Sequence, residues 1–256
     1  MIPKQAVASW RSVANWPQDH QVEQDLIISA SLVDLFNHHF LKDKIAFRGG
    51  TALNKLILPK AIRYSEDIDL NRLDNSAAGP VIDAIKEALG HRFEDRPKIK
   101  QTNRSVKITY SFLAISGETR KLKVEMNVRE TLPQKPLLKI PYKVESEYFS
   151  GETIITAFDK EEMIGSKIRA LYQRNKGRDL FDLYELSKLN FNWDNIISSF
   201  KLLNIGATHN DFEKNLNEKM NNPEFLEDII PLLPNDIAYD PKIAYEWFLK
   251  IILPKL

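Results

Sequence analysis

The sequence predicts an α/β fold of the α+β kind: a mixed sheet with helices over residues 1–150, then a helical domain over 151–256. Arg63–Leu70, Val106–Leu113 and Lys121–Val128 alternate apolar and polar residues with the period of two that marks strands. Between and before them, Asp19–Phe40 and Val81–Leu89 repeat apolar residues at helical spacing. From Asp159 onward only helical patterns occur. A chain of 256 residues can bury a sizeable core.

Composition sets the outer bounds. With 36 Lys and Arg against 35 Asp and Glu, the net charge of +1 argues against indiscriminate nucleic-acid binding and leaves room for a local basic patch. The absence of cysteine excludes disulfides and thiolate metal sites and suggests a cytoplasmic protein. No apolar run approaches the ~20 residues of a membrane span, and the N-terminus lacks a signal-like apolar core.

Trp10 and Trp16 flank a short helix, and Pro17 starts the next, whose stripe is Val22, Leu26, Val33, Phe36 and Phe40. His38 and His39 near its end read as surface residues. Lys44–Arg48 is a short strand feeding a Gly49-Gly50 turn, and Thr51–Leu58 is a helix broken before Pro59. After the Arg63–Leu70 strand, Asn75–Gly79 turns, Pro80 opens a helix and Gly90 stops it. Two strands joined at Ser116-Gly117 follow, and Pro133–Pro141 reads as a connecting loop. Asp159 caps the next helix, with Glu161 and Glu162 in its first turn and Met163, Ile164, Ile168 and Leu171 as its stripe. Gly177 ends that helix and Arg178–Tyr184 opens another. Helices over Trp193–Leu203, Asp211–Met220, Pro223–Leu232 and Pro241–Ile252 complete the chain, with no chemistry-bearing residue among them.

The chemistry concentrates in Arg63-Tyr-Ser-Glu-Asp-Ile-Asp-Leu70. On a strand, Ser65, Asp67 and Asp69 share one face. Carboxylates two residues apart lie about 7 Å from each other. They repel by roughly 2 kcal/mol at an effective dielectric near 20. A divalent cation between them is the usual remedy. Just upstream, Gly49 and Gly50 allow the backbone close to a ligand, and free amides at a helix start attract phosphate. An EF-hand is excluded, because the sixth and twelfth positions from Asp67 are Arg72 and Ala78. No Walker A pattern surrounds Gly50. A phosphate cradle followed by Asp-x-Asp suggests nucleotidyl transfer.

Glu125 lies on the polar face of the Lys121–Val128 strand and reads either as a third active-site acid or as a cross-strand partner for a lysine. From Arg96 to Lys123 eight basic residues face Glu118 alone among the acids before Glu125, Asp95 lying just outside, which reads as a solvated hairpin or as a surface that steers RNA or nucleotide. Lys167 and Arg174 stand two turns apart, and Asp179 and Asp182 one turn apart. Capping and ion pairing are one reading of these acids.

Arg48-Gly-Gly-Thr-Ala-Leu53 followed by Arg63-Tyr-Ser-Glu-Asp-Ile-Asp-Leu70 resembles the AbiEii/AbiGii-type nucleotidyltransferases. These are toxins of type IV toxin–antitoxin and abortive-infection phage-defence systems, with a polymerase-β-like core. The resemblance runs from about Glu23, resumes at Glu161–Leu186, and adds little beyond. It implies Mg²⁺ or Mn²⁺ held by Asp67, Asp69 and Glu125, and a nucleoside triphosphate contacted by Gly49, Gly50, Thr51 and Ser65. It further implies Lys167 on the triphosphate, Asp182 as an essential acid with Asp179 as the alternative, and Arg174 and Asp179 near the nucleotide. The implied acceptor is RNA, with the acceptor end of tRNA as a candidate, and the implied partner is a separately encoded antitoxin. The C-terminal domain then contributes to the nucleotide site. A small-molecule acceptor such as an antibiotic, or a regulator that binds nucleotide without catalysis, stays open on the residues alone.

Overall fold

The computed structural model describes residues 2–129 and 132–256. The chain divides into two compact units, Met1–Phe158 and Asp159–Leu256.

In the first unit, α1 (Lys4–Trp10) and α2 (Asp19–Asn37) precede β1 (Ile45–Arg48), α3 (Gly49–Ala52), β2 (Asp67–Arg72) and α4 (Ala78–Gly90). Then come β3 (Lys98–Gln101), β4 (Ser105–Leu113), β5 (Thr119–Asn127), β6 (Leu138–Glu145) and β7 (Ser150–Ala157). The sheet runs β3-β4-β5-β2-β1-β7-β6. It is mixed: β2 pairs β5 and β1 pairs β7 in parallel, and the other pairs are antiparallel. One face is apolar, with Ile68, Leu70, Ile108, Tyr110, Val124 and Met126 fully or almost fully buried. Burying that face is the main stabilising term, at roughly 25 cal/mol per Å² of apolar area. Helix α2 is buried nearly all round, from Gln21 to Phe36 with Asp34 alone half-buried. Its start is closed by a reciprocal box between Gln18 and Gln21.

The strand expected over Arg63–Leu70 begins only at Asp67. Three of the four residues before it are tied elsewhere: Asn54 Nδ2 donates to Arg63 O (3.0 Å), Thr51 Oγ1 bonds Ser65 Oγ (2.7 Å) and Gln24 Nε2 donates to Glu66 O (2.8 Å). The helix expected from Thr51 starts two residues earlier, at Gly49, and widens into an i→i+5 turn over Leu53–Ile57. The loop expected over Pro133–Pro141 holds the start of β6. That strand is a sheet edge carrying Lys139, Pro141 and Lys143, residues that suit an edge and disguise it in a pattern search. β3 is the other edge and all four of its residues are exposed.

In the second unit, α5 (Lys160–Gln173) begins as expected, Asp159 accepting from the Glu161 and Glu162 N–H groups at 2.9 and 3.2 Å. Gly177 does not end it. Gly177 opens α6 (Gly177–Ser187), where a Cβ would collide with the Phe225 carbonyl, so its role is close backbone packing. α7 (Trp193–Leu202), α8 (His209–Met220), α9 (Pro223–Glu227) and α10 (Pro241–Trp247) follow. The helix expected through Leu232 stops at Glu227 and resumes as a short 3₁₀ turn around Pro231. Phe212 stacks on Phe248 at 5.5 Å in this unit's aromatic core.

Candidate active site

The polar face of the sheet gathers the acids. Strand register sets Arg48, Asp69, Glu125 and Lys107 side by side across β1, β2, β5 and β4. Asp67, Lys123 and Thr109 form the next row. Residues directly opposite share a face, so Asp67, Asp69 and Glu125 lie together because the pairing of β2 with β5 brings them there. The period-two reading of Asp67 and Asp69 is therefore the observed arrangement, and both are half-buried.

Lysines compensate the acids. Lys123 Nζ lies 2.7 Å from Asp67 Oδ2, and Lys107 Nζ lies 3.2 Å from Glu125 Oε2. Burial works to lower the Lys123 pKa, but the hydrogen bond and charge of Asp67, with Glu66 and Glu125 behind them, outweigh it and leave it raised. Glu125 thus makes the cross-strand pair that was its alternative reading. Among the described residues no group of three or more His, Asp or Glu side chains is gathered as a metal cage.

The donor set still suits a hard cation. Mg²⁺ is usually held by one or two carboxylates and completed by substrate phosphates, so it needs no all-protein cage. Asp67 and Asp69 offer those two carboxylates. The backbone beside them is shaped to admit Asp69: Gly49 has φ +81°, and a Cβ there would overlap Asp69 Oδ2. Gly49→Ala should therefore lower stability by about 1–3 kcal/mol through backbone strain. It should also displace Asp69, which a larger loss of turnover than of melting temperature would reveal.

Behind this face lies a support that the sequence reading missed. Thr51, expected to contact the triphosphate, is instead buried with its hydroxyl committed to Ser65 Oγ (2.7 Å) and Asp67 O (2.6 Å), so its hydroxyl positions β2. Gln24 Nε2 bridges Glu66 O and Lys121 O at 2.8 and 3.2 Å, fixing the entries of β2 and β5. Asp25 accepts from Trp10 Nε1 (2.9 Å), Trp16 Nε1 (3.3 Å) and Lys55 Nζ (2.9 Å), which anchors the turn after α3 to α2. Polar residues inside α2's apolar run were the available signal for Gln24 and Asp25.

The second unit holds its own ionic cluster. Lys167 Nζ lies 2.5 Å from Asp182 Oδ2 and 3.8 Å from Asp179 Oδ1. Arg174 grips Asp179 with two parallel bonds of 2.6 and 2.7 Å. Lys167, Asp179 and Asp182 have side-chain exposures of only 7, 0 and 4%, so the pair is not the surface pair that helical spacing alone would allow. Arg174 sits one residue past the end of α5 in extended conformation, and that bend, in place of a continuing helix, turns it onto Asp179. Lys219 donates to Leu171 O and to Tyr172 O (2.8 Å), closing the last turn of α5. Burial pushes its pKa down to about 8, against the opposing pull of Asp179.

A family model described as "Nucleotidyl transferase AbiEii toxin, Type IV TA system" matches residues 31–250. The chain belongs to the AbiEii nucleotidyltransferase toxin family. It is accordingly a nucleotidyltransferase, and its family belongs to type IV toxin–antitoxin systems. The AbiEii match reaches through α10, so the C-terminal helices are part of the family's frame, further than the motif resemblance had extended. Among solved structures, MenT4, a nucleotidyltransferase toxin from Mycobacterium tuberculosis, shares the fold with a TM-score of 0.63 at 16% identity, covering 100% of this chain and 91% of that one. An antigenic nucleotidyltransferase-like protein from Paracoccidioides brasiliensis matches at TM-score 0.41 and 15% identity over 82% of this chain and 94% of that one. No curated protein matches significantly. The AbiEii frame leaves out residues 1–30, which include Gln24 and Asp25. Among the described residues no helix is long and apolar enough to cross a membrane.

Proposed function

We propose that this AbiEii-family enzyme transfers a nucleoside monophosphate from a nucleoside triphosphate to a hydroxyl of RNA, with Mg²⁺ or Mn²⁺ at Asp67 and Asp69. The observation that carries it is the Asp67–Asp69 face beside the left-handed Gly49, whose missing Cβ lets the Asp69 carboxylate sit directly against the backbone at the start of α3. When bound, the cation would neutralise triphosphate charge and polarise the reacting phosphoryl group.

The chain's own groups do the rest. Gly49, Gly50 and Ser65 contact phosphate, and Thr51 holds Ser65 and the Asp67 backbone in place. Lys167 binds the triphosphate, and Asp182 orients Lys167 and is the essential acid of the second unit. Asp179, doubly bonded by Arg174, fixes the cluster's geometry. The acceptor oxygen bonds to the α-phosphorus as the bond to the bridging oxygen breaks and pyrophosphate leaves. The hydroxyl proton passes to Glu125, the carboxylate beside Asp69 in register. Growth arrest follows from modified RNA, the acceptor end of tRNA being the first target to examine, in a cytoplasmic setting and with relief by an antitoxin.

The test is to incubate the protein with each labelled nucleoside triphosphate, Mg²⁺ and either total RNA or an aminoglycoside. Label carried into RNA is expected. Label carried only into the aminoglycoside would replace RNA by a small-molecule acceptor.

A further inference from the structure

The same polar face continues past the acids toward the sheet edge, and its character changes. The row Arg48, Asp69, Glu125, Lys107 ends on Lys100 of β3, and the row Asp67, Lys123, Thr109 ends on Lys98. A third row sets Lys121 beside Ser111. Beyond Glu125 the rows carry only lysines, Ser111 and Thr109, with no acid on this face of β3 or β4. Lys98, Lys100 and Lys121 are exposed, and among the described residues none of the three has an ion-pair or side-chain hydrogen-bond partner. Lys107 and Lys123, by contrast, are spent on Glu125 and Asp67.

We propose that this lysine face is the track for the phosphate backbone of a single-stranded RNA acceptor, running across the strands from Asp69 to the β3 edge. The proposal rests on the RNA reading given above and deepens it. Three strand spacings separate Asp69 from Lys100. At about 4.8 Å each that is a path of about 14 Å. A short run of single-stranded nucleotides covers it. Unpaired lysines at the far end cost nothing in the free protein and gain most when a polyanion displaces its counterions.

The face also says how the strand is read. The aromatic and bulky apolar residues of β4 and β5 (Tyr110, Phe112, Leu122, Val124) point to the opposite side, where Tyr110 Oη donates to Ile85 O of α4 at 3.3 Å. Among the described residues of β3, β4 and β5, no aromatic side chain therefore lies on the face of the track, in contrast to surfaces that grip bases by stacking. Recognition is of phosphate, so it is tolerant of sequence and sensitive to salt.

The experiment uses the full chain with Lys98→Gln, Lys100→Gln and Lys121→Gln combined. Binding of labelled single-stranded RNA is titrated across salt, and transfer is measured to a long RNA and to a dinucleotide too short to reach β3. Each single-strand phosphate contact contributes about 0.7 to the slope of log affinity against log salt, so the triple variant should lose about 2 units of slope. KM for the long RNA should rise at least about tenfold, following that lost affinity. Transfer to the dinucleotide and the melting temperature should stay near wild type. An unchanged slope and KM in a protein that still labels RNA would overturn the track and leave the RNA reading standing. A wild type that labels no RNA, long or short, would overturn both.

Discussion

Lys167→Ala is expected to lose both stability and turnover, and the two losses can be separated. The lysine is buried 2.5 Å from Asp182, itself almost fully enclosed. Breaking such a pair by deleting one partner commonly costs about 3–5 kcal/mol, because the remaining charge loses its compensation. Against a typical total of 5–15 kcal/mol, that is a large fraction of the fold's margin. Transfer should fall by a further factor of about 10²–10³ if Lys167 also stabilises charge on the triphosphate in the transition state. The control is the double replacement Lys167→Met with Asp182→Leu. Exchanging a buried pair for apolar residues of similar volume is often neutral or stabilising. The melting temperature should therefore recover in the double variant while turnover stays low. Recovery of both would reduce the cluster to a structural element.

Asp69→Asn is expected to lower transfer by about 10²–10³ with little change in the metal-free melting temperature. The amide keeps the shape of the carboxylate beside Gly49, so the strand pairing of β2 with β1 and β5 should survive. Wild type should also melt higher with Mn²⁺ and nucleotide, by an amount that grows with ligand concentration over its dissociation constant. Asp67→Asn combined with Asp69→Asn should abolish the metal-dependent part of that shift. A double variant that responds to metal like wild type would move the cation elsewhere. Expressed in a bacterium at equal abundance, wild type should arrest growth and Asp69→Ala should not.

Much of the first unit's polar face was legible because strand alternation is a short-range rule. Asp67, Asp69 and Glu125 needed only a period of two to be assigned a face, and the register of β2 with β5 then brought the faces together. The lysines opposite them were visible as a basic stretch, but their pairing with Asp67 and Glu125 depends on which strands are neighbours, and neighbours are a tertiary fact. β6 and β3 were missed because edge strands carry lysine and proline for protection against association, and so lose the apolar alternation that identifies a strand. In the second unit the one-turn spacing of Asp179 and Asp182 was readable. The burial of their cluster could have been read as well, since Lys167 stands three or four residues from Met163, Ile164 and Leu171 on the apolar stripe of α5, but a lysine there masks the pattern. The same holds for Gln24 and Asp25, polar residues whose reason for being inside α2 appears only once Glu66, Lys121, Trp10 and Lys55 are seen around them.

The central claim is that the bond broken lies between the α- and β-phosphates and that the nucleotide goes to RNA. Two parallel reactions with the same RNA, one with nucleoside triphosphate labelled at the α-phosphate and one at the γ-phosphate, test it most directly. The expected result is α-label in RNA, γ-label released as pyrophosphate in equal amount, and both products reduced by about 10²–10³ with Asp69→Asn. Gamma-label in RNA, or release of label with none reaching RNA, would contradict it.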